Sequence, residues 1–365
     1  MSSKNKILIL VPKESAFGGA TSYYKNIKNE FSLHVDYLER GNKNFPYRES
    51  RIKELVRLFY DFFRFIFKLA RVKLVHINCS LRFRSLFRDS FYLLAAYLFN
   101  KKIIITFHAW NTSIEAKIEN QHRRLFYFFI SKADAIIVLS NDFKKKILDW
   151  GYRKPVYTET TIVNREFQKS FSKKDFLKKI ATHKKRLTIL FLARIEKEKG
   201  IFEAMDTFRL LQDAGHELNF IVAGDGPELQ GGKDYVKKIK LKSIDFKGFL
   251  NQNEVIQTYQ QSDIYFFPSY SEGMPTSVLE AMTLGLPIVG RSVGGLKDFF
   301  INGKMGYLTD SYDPQIFSGL VTKLIESADI RKEMALNNFT YARNNFMADI
   351  VVKRLEKIYE QTINF

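Results

Sequence analysis

The stretch DIYFFPSYSEGMPTSVLEAMTLGLPIVGRSVGGLKDFF, residues 263–300, decides the fold. It predicts a strand that ends at Pro268, a loop that carries Glu272, a helix over about 276–284, and a second strand, PIVG, after Gly285. Two strands joined by a helix form a parallel pair. The stretch therefore predicts an α/β protein built on parallel sheet.

The same alternation extends over the whole chain of 365 residues, which is long enough for two hydrophobic cores. Short apolar runs separate longer amphipathic ones: KILILV, FSLHVDYL, KLVHIN, KIIITF and AIIVLS in the first half, and LTILFLA, LNFIVAG, IDFKGF, DIYFFP and PIVG in the second. We expect two Rossmann-like, doubly wound parallel-sheet domains, 1–170 and 171–345, facing a central cleft. The Lys-rich stretch 166–186 has a poor apolar pattern and is the predicted linker and hinge.

The charge is concentrated in the first half. The chain has 58 Lys and Arg against 39 Asp and Glu, a formal net charge of +19. Residues 1–170 hold 31 basic and 15 acidic side chains, a net of +16, whereas residues 171–365 hold 27 and 24, a net of +3. An anionic partner is therefore expected to meet the first half.

The composition also bears on location. Cys79 is the single cysteine, so no intramolecular disulfide can form and a cytoplasmic location is expected. The start MSSKNKILILVPKES has no cleavage-site pattern and is interpreted as a first strand, not a signal peptide. The longest apolar runs, FYLLAAYLF and FYFFI, are shorter than the roughly 20 residues that cross a bilayer.

Two carboxylates mark the best candidate site of the second half. Glu272 lies on a loop at the carboxyl edge of the predicted sheet, and Glu280 lies one turn inside the following helix. The loop formed by Gly273, Met274, Pro275 and Thr276 would point its backbone amides at a ligand, where they could hold phosphate or sugar oxygens. The alternative is a capping box, in which Glu280 only satisfies a backbone amide near Ser277.

Two cations follow another strand of the same half. Arg194 ends the run LTILFLA, and Lys199 comes five residues later, before Gly200 and a predicted helix. Arginine can hold two oxygens of a diphosphate while lysine acts as a point charge. The alternative is a pair of surface cations balanced by neighbouring glutamates.

The first half carries two weaker signals. Gly18 and Gly19 follow the first strand, where glycines let a ligand approach a helix N-terminus, although a tight turn explains them equally well. His108 follows KIIITF at the carboxyl end of a strand, where α/β proteins bind ligands. A structural histidine that caps its own loop is the alternative.

Taken together, these motifs resemble the retaining nucleotide-sugar glycosyltransferases of family 4, which have the GT-B fold. The resemblance covers almost the whole chain and rests on Gly18-Gly19, FHAW around His108, ARIEKEKG, VAGDGPEL, and EGMPTSVLEAM followed by VGG. The chain differs from that family's common pattern at Ala193 and Ala109, where no functional side chain is lost.

The resemblance implies a role for each candidate. Glu272 would approach the donor sugar and Glu280 would hold the ribose hydroxyls. Arg194 and Lys199 would neutralise the departing diphosphate, and His108 would reach the transferred sugar. Gly18 and Gly19 would lie beside phosphate and acceptor, and the last helix, about 345–365, would pack back on the first domain.

The resemblance also implies the chemistry. A hexose or N-acetylhexosamine would pass from a nucleotide-diphosphate sugar to an acceptor with retention, by front-face attack. Fixed cations and helix-end amides can stabilise the leaving diphosphate. No Asp-x-Asp pair occurs in the chain, so neither a metal nor another cofactor is expected.

A basic, aromatic segment at 48–73 suggests where the enzyme works. Its helical pattern places one apolar stripe, Ile52, Leu55, Val56, Phe59, Phe62, Phe63, Ile66 and Ala70, opposite Arg57, Arg64, Arg71 and two lysines, with Leu58 and Phe65 off the stripe. Such a helix either lies on an anionic membrane or packs in a core with a solvated basic back. With RFRSLFR and HRRLFYFF nearby, we expect peripheral attachment to the inner face of the cell membrane and a lipid-linked or oligosaccharide acceptor.

Three other functions remain open from the sequence. A nucleic-acid-binding protein would explain the charge of the first half but not the EGMPTSVLEAM loop. An epimerase or phosphorylase of the same fold would use the same donor site. A membrane-bound scaffold with an inactive site is the third.

Overall fold

A computed structural model describes residues 6–14, 19–41, 50–182 and 184–364. The chain forms two compact units. The first ends at Ile162 and also takes in the C-terminal segment from Ala348, and the second is Val163–Met347. The first boundary, after Ile162, lies eight residues before the expected 170/171, and the second, after Met347, lies two residues beyond the expected 345.

The first unit is built on a six-stranded sheet in the order β2-β1-β3-β4-β5-β6, all parallel. Its strands are β1 (Ile7–Pro12), β2 (Val35–Arg40), β3 (Leu74–Ser80), β4 (Lys102–Ala109), β5 (Ala135–Val138) and β6 (Val156–Thr158). Because β1 has a strand on either side and is covered on both faces, its sequence is the continuous apolar run ILILV.

Helices cover both faces of this sheet. They are α1 (Gly19–Ile27), α2 (Arg51–Leu69), α3 (Phe83–Leu98), α4 (Thr112–Lys117), α5 (Arg123–Ile130), α6 (Asn141–Asp149) and α15 (Ala348–Asn364), with a π-helical turn at Ile118–His122. Leu8 and Leu10 pack with α2, α3, α5 and α6, whereas Ile7 and Ile9 pack with α1 and α15. Alternate residues of one strand thus serve two separate cores.

The C-terminal helix α15 is fixed to the first unit by polar contacts. Arg354 forms a bidentate ion pair with Glu159 at 2.9 Å. Glu356 accepts hydrogen bonds from the backbone N–H and the hydroxyl of Ser32. Tyr359 is buried, and its hydroxyl lies 2.7 Å from Nδ1 of His76.

The second unit has the same construction, with the strand order β12-β11-β10-β7-β8-β9, again all parallel. The strands are β7 (Leu187–Leu192), β8 (Leu218–Ala223), β9 (Ile244–Gly248), β10 (Ile264–Phe267), β11 (Ile288–Arg291) and β12 (Gly306–Thr309). Its helices are α7 (Arg165–Lys169), α8 (Lys173–Ala181), α9 (Ile201–Asp213), α10 (Leu229–Lys238), α11 (Gln252–Gln261), α12 (Thr276–Thr283), α13 (Pro314–Glu326) and α14 (Ala328–Asn345).

The predicted fold class is confirmed: both sheets are parallel and doubly wound. Each of the ten predicted strands is present, and the short edge strands β6 and β12 were not predicted. In the described ranges, no helix is both long and apolar enough to cross a membrane.

The prediction of a linker at 166–186 is wrong. The segment forms α7 and α8, and its Phe167, Phe171 and Phe176 are buried in the second unit. The ring of Phe176 stacks on that of Phe339 with centroids 4.1 Å apart. Three phenylalanines spread among lysines are enough to anchor two short helices, although they form no clear apolar stripe.

The alternative in which the whole apolar stripe of α2 packs in a core is wrong, and Phe65, expected off the stripe, lies in the core. Phe65 and Leu69 are fully buried and Phe62 and Ile66 pack beside them, whereas Ile52, Leu55, Val56, Phe59 and Phe63 are more than half exposed. Only the C-terminal half of this helix lies against the sheet. Residues 48 and 49, where the predicted segment began, lie outside the described residues.

Candidate donor site and its surroundings

The candidate site of the second unit lies where the strand order changes direction. From β7 the chain proceeds outward through β8 to β9, then returns to the other side of β7 as β10. In open parallel sheets, a crevice forms at the carboxyl ends of two such strands and accepts ligands. Lys199 follows β7 and Glu272 follows β10, so both belong to this crevice.

Lys199 is placed by a single 3-10 turn, Lys197–Lys199, and by the glycine after it. Gly200 adopts the left-handed conformation with φ +77°, and a Cβ at this position would lie 2.5 Å from the carbonyl oxygen of Pro268. Only glycine lets the end of the turn pack so closely against the end of β10. The N–H of Tyr270 also donates to the carbonyl of Glu198 at 2.8 Å. The two loops are therefore joined through their backbones.

Glu272 is the acceptor at the centre of this arrangement. Its Oε1 accepts a hydrogen bond from Nζ of Lys199 at 2.5 Å and one from the hydroxyl of Ser269 at 2.9 Å. The side chains of Lys199 and Glu272 are 24% and 17% exposed, so the ion pair is partly shielded and still open to a ligand. An ammonium has three N–H donors, which leaves Lys199 able to bind an anion while it holds Glu272.

The glycine pair of VGG supports the same loop from β11. Gly294 has φ +53°, and a Cβ there would lie 2.1 Å from the carbonyl oxygen of Gly273 and 2.4 Å from that of Glu272. The N–H of Gly295 donates to the carbonyl of Gly273 at 2.7 Å. The backbone of the Glu272 loop thus rests directly on these glycines.

Glu280 is held by a tyrosine rather than by a backbone amide. Its Oε2 accepts from the hydroxyl of Tyr259 at 3.2 Å, and the same hydroxyl donates to the carbonyl of Ser277 in a shared bond. Burial raises the pKa of the Glu280 carboxyl to about 7. The capping-box alternative is wrong, because α12 is capped by Pro275 without a side-chain hydrogen bond. Burial therefore disfavours the charged form of Glu280, and carboxyls with such a raised pKa are common at functional sites.

The remaining loop residues of the site differ in exposure. Met274 and Pro275 are buried, whereas Thr276 begins α12 and is partly exposed. The first amides of a helix have no acceptor within the helix, so the start of α12 is suited to phosphate or sugar oxygens.

Arg194 is not joined to the Lys199–Glu272 pair in the described contacts. Its Nε lies 3.0 Å from Oε1 of Glu196, and its side chain is 70% exposed. The backbone next to it is tightly packed, since a Cβ at Gly224 would lie 1.9 Å from the carbonyl oxygen of Ala193. The structure thus gives the loop a fixed position, while the exposed guanidinium is paired with Glu196, as the alternative of surface cations balanced by glutamates predicts.

The candidate residues of the first unit are only partly described. Gly18 lies outside the described residues, and Gly19 is the first residue of α1. His108 lies at the carboxyl end of β4, where its Nε2 is 3.2 Å from the hydroxyl of Tyr24. Its ring is 4.4 Å from that of Tyr23, and burial lowers the pKa of His108 to about 4. The imidazole is therefore neutral near pH 7.

Sequence reasoning missed the residues that hold the candidates in place. Ser269 lies within the quoted stretch, three residues before Glu272, and its position could have indicated a role. Tyr259 on α11 and Tyr24 on α1 reach Glu280 and His108 from distant parts of the sequence. No local pattern marks these two tyrosines.

The described residues contain no group of three or more His, Cys, Asp or Glu side chains placed to hold a metal ion.

Of the predicted membrane-side arginines, Arg71 is exposed, Arg64 is 43% exposed and 4.0 Å from Asp61, and Arg57 is half-buried.

The chain is similar in sequence to known proteins. Residues 172–340 match the family of glycosyl transferases group 1. An uncharacterized glycosyltransferase of Methanocaldococcus jannaschii is 27% identical over 83% of this chain and 79% of its own length. The capsular polysaccharide biosynthesis glycosyltransferase CapM of Staphylococcus aureus is 25% identical over 46% of this chain and 44% of its own.

The fold is also found among solved structures. The Anabaena protein HepE, in complex with UDP-glucose, superposes with a TM-score of 0.71 over 98% of this chain and 99% of its own, at 16% identity. The fold is therefore that of GT-B glycosyltransferases. The chain is thus similar to group 1 glycosyl transferases at residues 172–340, and the likeness to HepE is one of fold.

Proposed function

We propose that the chain transfers a hexose or an N-acetylhexosamine from a nucleotide-diphosphate sugar to a glycan acceptor. The transfer proceeds with retention of anomeric configuration and without a metal ion. The acceptor is lipid-linked, and the product belongs to a surface polysaccharide or glycoconjugate.

The single observation that carries the proposal is the ion pair between Lys199 and Glu272 at the crevice between β7 and β10. Cleavage of a sugar–phosphate bond builds negative charge on the leaving diphosphate, and a fixed cation lowers that barrier without reorganisation. The backbone contact of Gly200 with Pro268 holds Lys199 in place before any ligand arrives. Glu272, which accepts a hydrogen bond from this Nζ, then lies next to the sugar–phosphate bond that breaks.

The other candidates take complementary parts of one elongated donor. Glu280 accepts ribose hydroxyls, because a carboxylate is an acceptor with two oxygens and Tyr259 occupies only one of them. Arg194 adds a second cation for the diphosphate. His108, as a neutral imidazole, hydrogen-bonds the transferred sugar.

The nature of the acceptor rests on two observations. CapM, which is similar to this chain over 46% of the chain's length, is named for capsular polysaccharide biosynthesis. The first unit has the positive charge expected of a protein that works at an anionic surface.

The test begins with a thermal-shift panel of UDP-glucose, UDP-N-acetylglucosamine, GDP-mannose and ADP-glucose, because a ligand of the folded state raises its melting temperature. The stabilising donor is then incubated with and without lipid extract as acceptor, in the presence and absence of EDTA. We expect nucleotide release that depends on the acceptor and is unchanged by EDTA, and a product whose anomeric configuration by NMR equals that of the donor.

Other outcomes separate the alternatives. An epimer formed from the donor alone would identify an epimerase, and transfer that requires inorganic phosphate would identify a phosphorylase. Binding of oligonucleotides without any donor binding would contradict the proposal altogether.

A further inference from the structure

Three helices of the first unit, α2, α3 and α5, have many exposed apolar side chains. Seventeen large apolar side chains of the described first unit are 41–77% exposed, and all of them lie on α2, α3 or α5 or at Phe99, directly after α3. The described part of the second unit has seven exposed large apolar side chains, 38–74% exposed, which are spread over several helices and loops. We call this surface of the first unit the three-helix face; its most exposed members include Phe67, Phe87, Leu98, Leu125 and Phe128.

The three helices form one continuous layer. Tyr92 of α3 packs edge-on against Phe65 of α2, with ring centroids 5.0 Å apart. Nζ of Lys132 lies 5.0 Å from the ring of Tyr97 on α3 and 4.7 Å from that of Phe128 on α5. All three helices pack on the same face of the sheet, opposite α1 and α15. Their exposed sides therefore form a single surface.

The charge of this layer is mainly positive. The three helices contain nine Arg and Lys and three carboxylates. Two of these carboxylates, Asp61 and Asp89, are buried, and Asp89 is paired with the buried Arg40. The exposed apolar side chains are thus surrounded by cations such as Arg84 and Arg124, which are exposed.

Eleven of the seventeen exposed apolar residues are aromatic. Aromatic side chains combined with Lys and Arg are typical of surfaces that lie in the headgroup region of a bilayer, where rings insert and cations meet lipid phosphates. An apolar surface of this extent is otherwise unfavourable in water. We infer that the three-helix face docks on an anionic lipid bilayer and that rings from all three helices enter it.

This inference deepens the lipid-linked acceptor of the proposed function, but it is tested without any sugar. The protein is sedimented with vesicles of phosphatidylcholine alone and with vesicles containing phosphatidylglycerol, over a range of salt concentrations. We expect binding to the anionic vesicles that weakens with salt. If the wild-type protein does not bind anionic vesicles but still transfers sugar to a water-soluble acceptor, this inference alone is rejected.

Two sets of variants separate the apolar and ionic parts. The triple variant Phe67→Ser, Phe87→Ser and Leu125→Ser takes one exposed residue from each helix, and binding should fall at least tenfold at every salt concentration. Its matched control, Ile301→Ser, Ile316→Ser and Leu336→Ser in the second unit, should bind as the wild type does. The double variant Arg84→Glu and Arg124→Glu should lose binding mainly at low salt, while Lys237→Glu with Lys238→Glu should not.

The triple variant should melt within a few degrees of the wild type, because its three side chains are each at least 69% exposed. Equal binding of the triple variant and the wild type would overturn the inference, as would equal binding to neutral and anionic vesicles. A wild-type dimer that the triple variant converts to monomers, with no vesicle binding, would assign the face to a second copy of this chain instead.

Discussion

Lys199 donates a hydrogen bond of 2.5 Å from its Nζ to Oε1 of Glu272, across 73 positions of sequence. The contact arises because the loops after β7 and β10 are joined by the Tyr270 N–H and by the close approach of Gly200 to Pro268. The Glu272 carboxylate therefore uses one of the three N–H donors of Lys199, the residue that we propose binds the diphosphate. The two members of the pair should affect nucleotide binding in opposite directions.

Replacement of either residue tests this opposition. Lys199→Ala removes a charge-assisted hydrogen bond worth about 1.5–3 kcal/mol and leaves an unpaired carboxylate beside the diphosphate. We expect the Kd for UDP, measured by calorimetry, to rise at least tenfold. Glu272→Gln frees Lys199, so the Kd should stay the same or fall, whereas turnover should drop sharply in both variants.

The exposed Lys237 on α10 provides the control, and Lys237→Ala should change neither quantity. Weaker UDP binding in Glu272→Gln than in Lys199→Ala would contradict the assignment of Lys199 to the diphosphate.

Glu280 should make stability depend on pH. Its pKa is raised to about 7 by burial, above the value of about 4.3 in an unfolded chain. The folded protein thus holds this proton more tightly, and the resulting stability is present at low pH and lost as the pH rises through 7. Glu280→Gln keeps the acceptor for Tyr259 and carries no charge, so it should melt close to the wild type near pH 4.5 and above it at pH 8.

The same substitution should weaken nucleotide binding, because a neutral amide is a poorer acceptor for ribose hydroxyls than a carboxylate. Glu333→Gln on the exposed surface of α14 is the matched control for both measurements. An equal melting difference at the two pH values would show that the Glu280 carboxyl is not shifted by burial.

The structure of residues 263–300 could be predicted from the sequence because this stretch combines strong local signals. A buried strand, a Gly-Pro loop and a helix beginning at Thr276 all follow from short-range preferences. The positions of Glu272 and Glu280 at the sheet edge follow from the same signals. The pairing of Glu272 with Lys199 does not, because it depends on which strands are neighbours in the sheet.

The wrong linker prediction and the wrong position of Phe65 off the α2 stripe have a common cause. In α2 and in 166–186, apolar residues are present but their partners are set by tertiary structure: Phe65 meets Tyr92 of α3, and Phe176 meets Phe339 of α14. Periodicity identifies an amphipathic helix but not which part of it reaches the core. The edge strands β6 and β12 were missed because each has a single buried residue, so neither shows the continuous apolar run of the similarly short β5 and β10.

Gly294 should be intolerant of any side chain. A Cβ there would lie 2.1 Å from the carbonyl oxygen of Gly273, and the residue also has φ +53°. Gly294→Ala must displace the loop that carries Glu272, so we expect a loss of more than about 1 kcal/mol of stability and most of the turnover.

A second glycine makes this a controlled comparison. Gly319 lies in the middle of α13, where an added Cβ would have no neighbouring atom within 4 Å, and its φ is not in the left-handed region. Gly319→Ala should stabilise the protein by about 0.5–1 kcal/mol, since alanine favours helix. Equal effects at the two positions, measured by urea unfolding, would show that the close contact at Gly294 is unimportant.

The C-terminal helix should detach more easily in acid, because of a buried histidine. His76 lies between the hydroxyls of Tyr359 and Thr106, at 2.7 and 2.6 Å, and burial lowers its pKa to about 3, with the nearby His108 adding to the effect. In the unfolded chain the pKa of this histidine is about 6.5, so the unfolded chain binds the proton first and stability should fall as the pH drops below about 6.5.

Tyr359→Phe leaves Nδ1 of His76 without this partner and should cost about 1–3 kcal/mol at pH 8. Hydrogen exchange of the α15 amides should rise in this variant and in wild type at pH 5, but not in the control Tyr312→Phe, whose ring is exposed; unchanged protection of α15 in Tyr359→Phe would show that the contact does not hold the helix.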